Sequence, residues 1–390
     1  MSDAAGLSFR IPVLVPDLPE AQALMPWLAR IDAARWYTNF GPLVRAFETS
    51  LAQHWAGEAQ PPAVVSLHSG TAALELGIAA LALPVGAKVL LPAFTFPATA
   101  SAVLRNGLIP VLADVVPDSW QLTPEIAREA ARQHPLALVM PVASFGCPVD
   151  VAAWDAFADE TGIRVLIDAA AAFGNQAIGT RAAVAFSLHA TKPFGIGEGG
   201  AFVTRDTALA ARVRRLSNFG FENGVAQEAG ANAKLSEYAA AVGLAQWARW
   251  PAQQAHRQAL WHTYAPALAD LPGVSLQQGF RPGELPATLV VRLPVSASTV
   301  ARTLAQAGIQ TRRWYCPPLH HHPAFAGYPR CGPTGHAGLP VAEALAEYSL
   351  GLPWFARMTQ AQCADVVGEL SRALALDGVE NGVSAGNTCR

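Results

Sequence analysis

Short apolar runs alternate with longer amphipathic segments along the first two thirds of the chain. The amphipathic segment at residues 72–83 carries Leu74, Ile78 and Leu81 at helical spacing. The apolar runs lie at residues 64–68, 89–91, 111–115, 136–142, 163–167 and 183–190. Because alternating strands and helices build a mostly parallel sheet with helices on both faces, this pattern predicts an α/β fold.

A later change in the pattern predicts a second structural unit. A helical pattern runs from residue 239 to about residue 265, and a strand-like run at residues 288–293 follows it. The length of 390 residues is sufficient for two or more units. We therefore expect a large domain at residues 1–250 and a smaller C-terminal α/β domain at residues 251–390.

The composition favours an oligomer. Hydrophobic residues make up 52% of the chain and charged residues 14%, whereas a quarter of residues are charged in a typical soluble domain. Such a low charged fraction indicates that a partner subunit covers part of the surface. The formal net charge is -2, and no basic run or basic-aromatic stripe occurs. We therefore expect neither nucleic acid nor an anionic membrane as a partner.

Three features favour a cytoplasmic protein. The uncharged apolar stretch at residues 89–104 is interrupted by Pro92 and Pro97 and is too short to span a membrane. The first residues lack the basic region and the apolar core of a signal peptide. The cysteines are scattered and odd in number, which suits free thiols in a reducing compartment.

Two ionisable residues follow apolar strand-like runs, where a protein interior rarely accepts charge. Asp168 follows residues 163–167, and Lys192 follows residues 183–190. Because ligands gather at the carboxyl ends of parallel strands, we expect both side chains in one crevice. One interpretation is a partly buried salt bridge. The other is a pyridoxal 5'-phosphate site, in which a lysine forms a Schiff base with the cofactor and an aspartate keeps the pyridine nitrogen protonated.

The residues around this pair carry a more specific pattern. Asp168 precedes two alanines, Ser187 stands five residues before Lys192, and a glycine pair opens a strand-like run at residues 199–204. This pattern resembles the DegT/DnrJ/EryC1/StrS family of nucleotide-sugar aminotransferases, and the resemblance covers roughly residues 10–370. It implies the fold called type I among pyridoxal-phosphate enzymes, with Lys192 and Asp168 as catalytic residues.

The resemblance also implies where the cofactor phosphate binds. Gly70, Thr71 and Ala72 match the phosphate cradle of the family, and Ser187 matches a hydroxyl partner on the other side. A strand, a small polar turn and a helix start suit an anion because the first amides of a helix are free to donate. Taken without the resemblance, the same residues are explained by an ordinary helix cap at Ser69 or Thr71.

Two further cofactor contacts depend on the resemblance. Phe96 falls where the family places an aromatic ring against the cofactor, whereas a lone phenylalanine is usually part of the core. Asn232, in a polar loop at residues 221–233, matches an asparagine that reaches the cofactor phosphate of the neighbouring subunit. On composition alone Asn232 is an ordinary loop residue. The resemblance thus implies a homodimer with shared active sites.

Substrate-binding residues are implied in the same way. Asn39 and Phe40 lie in a break between a helical segment that ends near residue 34 and another at residues 43–55. Their Asn-Phe-Gly-Pro sequence is similar to that of members acting at carbon 4 of a nucleotide-linked hexose, although a purely structural connection fits equally well. The other implied substrate residues are His189, Arg313, Tyr315 and His320.

Together these residues predict a pyridoxal-phosphate aminotransferase that moves an amino group from L-glutamate to a nucleotide-linked keto sugar, a 4-keto-6-deoxyhexose. The alternatives are a sugar dehydratase, an enzyme that aminates a cyclitol or another cyclic ketone, and a catalytically silent regulator. Dehydratases of the family carry histidine in place of the lysine, so Lys192 disfavours the first alternative. Ala171 departs from the glutamine or histidine of many members, and it leaves the sugar less well defined.

Two other motifs are rejected. Gly195, Gly197 and Gly200 match the dinucleotide fingerprint, but no strand directly precedes them and a strand-like run follows, so we predict a loop and no NAD site. A group of cysteines and histidines lacks the tight paired spacing of zinc sites, and no metal is expected there. That group comprises Cys316, His320, His321, His322, Cys331 and His336.

Overall fold

The computed structural model describes residues 9–55, 60–333 and 338–385, with side chains up to residue 376. Its strands are β1 (Ala63–Leu67), β2 (Lys88–Pro92), β3 (Ile109–Ala113), β4 (Leu136–Val139), β5 (Arg164–Asp168), β6 (Ala183–Ser187), β7 (Gly200–Thr204), β8 (Phe221–Glu222), β9 (Val225–Ala226), β10 (Ser275–Leu276), β11 (Val290–Arg292), β12 (Arg330–Cys331) and β13 (Ser349–Gly351). Eight strands form a central sheet in the order β1-β7-β6-β5-β4-β2-β3-β12. Every neighbouring pair is parallel except the two pairs that include β7. The predicted mostly parallel sheet is confirmed.

Helices connect and cover these strands. They are α1 (Ala21–Ala34), α2 (Pro42–His54), α3 (Gly70–Ala80), α4 (Pro97–Arg105), α5 (Pro124–Gln133), α6 (Val151–Thr161), α7 (Thr207–Leu216), α8 (Glu237–Ala269), α9 (Ala297–Gln306), α10 (Pro340–Tyr348) and α11 (Gln360–Ala385). Polar side chains fix several helix starts, because Ser69, Asp206 and Ser236 each accept a hydrogen bond from a first-turn amide. Within the described ranges, no helix is both long and apolar enough to cross a membrane.

The central sheet is buried on both faces. Along β6, Val184 and Phe186 belong to one hydrophobic core cluster, whereas Ala183 and Ala185 belong to another. Since successive side chains of a strand point to opposite faces, a continuous apolar run is required to fill both layers. Polar groups that could bind a ligand are therefore expected mainly at the last residues of the strands and in the loops that follow them.

A smaller unit follows at the C-terminus. Strands β10, β11 and β13 form an antiparallel sheet, and α8, α9 and α11 pack around it. Its core includes Leu260 and Tyr264 from α8, whereas Ala240 and Leu244 of the same helix belong to the core of the large unit. Because α8 crosses residue 250 without a break, the domain boundary expected there stays a prediction.

The N-terminal segment belongs to the C-terminal unit in space. Ile11 is buried in the core of that unit, and its amide donates to the carbonyl of Gly308 at 3.2 Å. The amide of Trp354 donates to the carbonyl of Val13 at 3.1 Å. The chain therefore leaves the C-terminal unit before it enters α1, and residues 11–17 lie beside the segment that carries Trp354.

Candidate active site

Asp168 and Lys192 lie at the ends of two neighbouring parallel strands. Asp168 is the last residue of β5, and Lys192 follows the end of β6 by five residues. A tight turn holds the lysine, because its amide donates to the carbonyl of His189 at 2.8 Å. The strand arrangement thus brings together the two residues that the sequence singles out.

Asp168 is a buried carboxyl group with two hydrogen-bond donors. Its Oδ2 accepts from Oγ1 of Thr99 at 2.7 Å, and its Oδ1 accepts from the amide of Ala170 at 3.1 Å. Burial raises the pKa of Asp168, while these two donors and the charge of Lys192 lower it. The site therefore combines an apolar surrounding with a small set of groups that favour the carboxylate.

Lys192 is partly buried, and burial lowers the pKa of its amine against the opposing effect of Asp168. No ion pair within 4.0 Å joins the two residues in the described part of the chain. The salt-bridge interpretation is therefore not what the structure contains. An amine with a lowered pKa near an unpaired carboxyl group is an arrangement suited to proton transfer.

Three element ends meet beside this pair. A Cβ atom added to Gly70 would lie 2.7 Å from Cβ of Ser187, so the start of α3 touches the end of β6. A Cβ atom added to Gly200 would overlap the carbonyl of Ser69, so the start of β7 is equally close. The first-turn amides of α3 and the Ser187 hydroxyl therefore lie together, as an anion-binding site requires.

An ordinary helix cap is also present at this turn, and it is compatible with an anion-binding site. Ser69 is the N-cap of α3, and its hydroxyl accepts from the amide of Ala72 at 3.1 Å. That bond occupies one amide of the predicted cradle, while Gly70 and Thr71 precede it at the helix start. Ala72 thus supports the turn through its backbone.

Phe96 is an exposed ring at the carboxyl end of the sheet. It precedes α4 directly, and 61% of its surface is accessible, whereas Phe94 in the same segment is fully buried. A core role for Phe96 is therefore wrong. An exposed aromatic face next to the strand ends is available for stacking on a flat ligand.

Tyr315 lies near Asp168. Its ring stacks on Phe145 with centroids 5.0 Å apart and contacts Phe94 edge-on at 5.3 Å. Burial raises the pKa of the Tyr315 hydroxyl, and the charge of Asp168 raises it further. The structure thus brings this predicted substrate residue from the C-terminal half to the end of β5.

His320 and Arg313 are held by contacts within the chain. His320 is buried, and its Nε2 lies 3.2 Å from Oε1 of Glu343. The guanidinium group of Arg313 donates to the carbonyl of Ala346 at 2.7 Å, at the end of α10. These contacts position both side chains, and they leave Nε of Arg313 and Nδ1 of His320 buried without a hydrogen-bond partner among the described residues.

The histidine-rich segment also contains a group with metal-ligand spacing. His320, His321 and Glu343 offer ligand atoms that all lie within 4.8 Å of one another, and Glu343 is half exposed. Cys331 is instead part of the hydrophobic core, and Cys316 is exposed. Of the two other histidines of the group, His322 has its Nε2 3.0 Å from the carbonyl oxygen of Pro317, and His336 lies outside the described residues.

His189, Asn39 and Phe40 lie in exposed or partly exposed turns. Nδ1 of His189 is 2.8 Å from Oγ1 of Thr191, just before Lys192. Asn39 and Phe40 have left-handed backbone angles, with φ of 61° and 58°, and they form a tight turn ahead of α2. The Phe40 ring lies 5.2 Å from the guanidinium carbon of Arg214 on α7. Within one chain, Phe40 therefore packs against α7.

Asn232 lies on a segment that runs beside the end of β1. The carbonyl of the following residue, Ala233, accepts from the amide of His68 at 3.0 Å. The Asn232 side chain is exposed, and its Oδ1 accepts from Nζ of Lys234 at 2.7 Å. The single chain thus places Asn232 at the surface, next to the strand that leads into the Ser69–Gly70 turn.

The dinucleotide motif is a loop, as predicted. β6 ends at Ser187, Gly195 and Gly197 lie in irregular backbone, and the third glycine of the motif, Gly200, begins β7. The sequence interpretation missed Thr99, the hydroxyl partner of Asp168. Thr99 lies in the first turn of α4, the helix that follows β2, and a polar residue at such a helix start is a signal that could have identified it.

Comparison with known proteins agrees with this geometry. Residues 20–371 match the model of the DegT/DnrJ/EryC1/StrS aminotransferase family. The dTDP-3-amino-3,4,6-trideoxy-alpha-D-glucose transaminase of Streptomyces venezuelae is 33% identical over 353 residues, which are 87% of this chain and 89% of that protein. The dTDP-4-amino-4,6-dideoxy-D-glucose transaminase of Escherichia coli is 28% identical over 362 residues, which are 90% of this chain and 95% of that protein.

The three-dimensional structure gives the same result. The crystal structure of DesI in the presence of its TDP-sugar product matches with a TM-score of 0.82 and 32% sequence identity, covering 96% of this chain and 97% of DesI. The predicted fold, that of the pyridoxal-phosphate-dependent aminotransferases, is confirmed. Sequence, architecture and the strand-end site agree, and the chain belongs to the DegT/DnrJ/EryC1/StrS aminotransferase family.

Proposed function

We propose that this aminotransferase moves an amino group from L-glutamate to a nucleotide-linked 4-keto-6-deoxyhexose, with pyridoxal 5'-phosphate as its cofactor. The observation that carries the proposal is the pair of Lys192 and Asp168, which lie at adjacent strand ends without forming an ion pair. A structural salt bridge would satisfy both charges, whereas in this pair neither the amine nor the carboxylate is held in an ion pair with the other.

The residues present fit this cofactor. The close approach of Gly70 and Ser187 leaves no space for a side chain at the start of α3, so backbone amides and a hydroxyl are open to the phosphate. The exposed ring of Phe96 offers a stacking surface. Asp168, at the bottom of the site, would bind the protonated nitrogen of the pyridine ring.

Pyridoxal phosphate supplies an aldehyde that carries the amino group and a ring that withdraws electrons from the reacting carbon. The protein supplies a base and an ionised partner for the ring. Lys192 would remove the proton from the α carbon of the amino donor and would deliver it to the cofactor carbon. Removal of the proton requires a neutral amine. Burial lowers the pKa of Lys192 in that direction. The Asp168 carboxylate, held by Thr99, would keep the ring nitrogen protonated.

The substrate assignment depends on the relatives. Both curated relatives are named as transaminases of dTDP-linked amino sugars, one aminated at carbon 3 and one at carbon 4. The Asn-Phe-Gly-Pro sequence that begins at Asn39 supports carbon 4 here, because it resembles that of members acting there. Tyr315, Arg313 and His320, from the segment that follows β11, are the proposed contacts to the sugar nucleotide, and His189 is a further one near Lys192.

We further propose a cytoplasmic homodimer. The free thiols of Cys147, Cys331 and Cys363 are buried, and they suit a reducing compartment. Several aromatic rings are exposed on the single chain near the proposed site-sharing loop, which favours their burial by a second copy. They include Trp36, Tyr37, Phe219, Phe221 and Tyr238.

Amino transfer can be tested with labelled donor. The purified protein with pyridoxal phosphate, ¹⁵N-labelled L-glutamate and a dTDP-linked 4-keto-6-deoxyhexose should yield a labelled amino sugar nucleotide and an equal amount of 2-oxoglutarate, measured by mass spectrometry. Borohydride treatment before turnover should fix the cofactor on the peptide that contains Lys192. Lys192→Ala should lose activity by orders of magnitude. Absence of label from the sugar, or a cofactor adduct on another lysine, would refute the proposal.

A further inference from the structure

A small cavity adjoins Lys192 on the side of the C-terminal unit. Its volume is about 30 Å³, and Lys192, Arg257, Trp354 and Asp17 are among the residues that line it. This volume accommodates a group the size of a water molecule or a carboxylate oxygen, and it excludes a hexose or a diphosphate. The cavity therefore suits one small polar group of a ligand whose other end lies at Lys192.

Arg257 is a buried cation without an anionic partner. Its Nη2 donates to the carbonyl of Pro286 at 2.5 Å and its Nη1 to Oε1 of Gln254 at 3.0 Å, and both acceptors are neutral. Only 5% of its surface is exposed. Among the described residues, no carboxylate lies within ion-pair distance of it. A buried guanidinium group in this state carries an uncompensated desolvation cost.

The guanidinium group is also fixed in place. It lies 5.4 Å from the ring centre of Trp354, and the indole nitrogen of Trp354 donates to the same carbonyl of Pro286 at 2.7 Å. Burial lowers the pKa of Arg257 to about 10, so the group stays protonated at neutral pH. A rigid, charged donor beside a catalytic amine is a feature of substrate-positioning residues.

Asp17 lines the same cavity but is not the missing counterion. Its carboxylate accepts from Arg249 at 2.8 Å, from Gln253 at 2.6 Å and from Arg357 at 2.9 Å. Two arginines therefore already balance its charge, and Asp17 adds little net repulsion toward an incoming anion. The cavity remains positively charged at Arg257.

We propose that Arg257 binds a carboxylate of the amino donor and positions the α carbon of the donor for Lys192. The proposal rests on the aminotransferase function proposed above. A guanidinium group binds a carboxylate through two parallel N–H donors, which fixes orientation as well as charge. Both substrates must bring their reacting carbon to Lys192, but the phosphates of the sugar nucleotide do not fit this cavity. Arg257 is therefore specific for the first half of the reaction.

Separate measurement of the two half-reactions distinguishes binding of the amino donor by Arg257 from a general effect on the active site. Arg257→Gln should raise the KM for L-glutamate in the donor half-reaction about 10- to 100-fold, the value expected for losing a charge-assisted hydrogen bond. The half-reaction of the aminated cofactor form with the keto sugar should keep its KM. Arg257→Lys should recover part of the donor affinity, and Arg132→Gln, an exposed arginine on α5, should match the unaltered enzyme.

A panel of donors identifies which carboxylate is bound. If Arg257 binds the side-chain carboxylate, Arg257→Gln should weaken L-glutamate and leave L-glutamine unchanged. If it binds the α-carboxylate, both donors should weaken equally. Both outcomes support the proposal. An unchanged KM for both donors, or an equal loss in the sugar half-reaction, would overturn it.

Binding without turnover provides an independent measurement. Glutarate titrated calorimetrically into the protein loaded with pyridoxal phosphate should bind. Arg257→Lys should weaken this binding about threefold or more, though less than Arg257→Gln does. Because no keto sugar is present, this result stands even if the sugar assignment fails. Thermal unfolding shows whether each variant is folded. If Arg257→Gln does not fold, the glutarate titration of Arg257→Lys tests the proposal in its place. Glutarate affinity unaffected in a folded Arg257→Lys variant would refute the site.

Discussion

At Asp168, burial and hydrogen bonding act on the carboxyl group in opposite directions. The apolar surrounding raises its pKa, whereas the Thr99 hydroxyl, the Ala170 amide and the Lys192 charge lower it. The ionised form of Asp168, which the proposed function requires, therefore depends on these few neighbours. Thr99 is the only side chain among the described residues that donates directly to this carboxylate.

The role of the Thr99 hydroxyl predicts a shift in the pH profile. In Thr99→Val the ionised form of Asp168 loses a donor, so the pKa of Asp168 should rise further. Because activity requires the carboxylate, the acidic limb of the kcat profile should move to higher pH by about one unit, and activity below that limb should fall. Thr99→Ser keeps the hydroxyl and should keep the original profile. An unchanged profile in Thr99→Val would exclude this role.

The sequence identifies those charged residues of the site that end or interrupt an apolar run, and it does not identify those that are buried by distant segments. Asp168 and Lys192 are visible because each interrupts or ends an apolar run, which is costly without a purpose. Arg257 gives no such signal, because its burial arises from Trp354 and Pro286, which are distant in sequence. A sequence pattern describes neighbours along a strand or helix, and it does not describe contacts between distant segments.

At the scale of elements, the proposed phosphate cradle is a product of two close approaches. The start of α3 touches the end of β6 at Gly70, and the start of β7 touches the residue before α3 at Gly200. A side chain at either glycine would separate the elements. The free amides and the Ser187 hydroxyl thus converge only because both positions lack a Cβ atom.

The contact at Gly70 predicts a selective loss of cofactor affinity. In Gly70→Ala the new Cβ would lie 2.7 Å from Cβ and 2.9 Å from Cα of Ser187, so α3 must shift away from β6. Cofactor affinity should fall at least about 10-fold, and overpacking should lower the free energy of unfolding by about 1–3 kcal/mol. Fluorescence titration of the cofactor-free protein with pyridoxal phosphate measures the first effect, and urea unfolding measures the second.

A second glycine provides the control for this substitution. Gly368 lies within α11, and no atom lies within 4 Å of an added Cβ. Gly368→Ala should therefore leave cofactor binding unchanged and stabilise the protein by about 0.5–1 kcal/mol, because alanine is the better helix former. Equal cofactor affinities in both variants would show that the cradle does not depend on the Gly70 contact.

Elements with a long periodic pattern are predictable, but short ones depend on context. The strand predicted at residues 136–142 ends as β4 at Val139, although the backbone continues to bond to its neighbours through Met140. The predicted polar loop at residues 221–233 contains the hairpin of β8 and β9. The Asn223–Gly224 turn between them has φ of 50° and 79°, and an Asn-Gly pair is a hairpin signal that was available in the sequence.

At the scale of the whole molecule, exposed aromatic rings lie near the predicted interface loop. Phe219 and Phe221 are each 46% exposed and flank the segment that leads to Asn232, and Tyr37 stacks on Tyr238 at 6.2 Å. A monomer would leave these rings in water. Their burial by a second copy would also place the Asn232 loop against the neighbour, which is the arrangement that shared sites require.

Mixed dimers test whether each site takes Lys192 from one subunit and Asn232 from the other. Asn232→Asp should place a negative charge near the cofactor phosphate and inactivate the homodimer, and Lys192→Ala should inactivate it by removing the base. In a mixed dimer with shared sites, one site carries both substitutions and the other carries neither. Random reassortment makes half of the dimers mixed, so activity should return to about a quarter of that of the same amount of unaltered enzyme.

The two variants, purified with different affinity tags, are unfolded and refolded together, and doubly tagged dimers are isolated and assayed for amino transfer. Inactive doubly tagged dimers would show that Asn232 serves its own subunit, since each chain would then carry one damaged site.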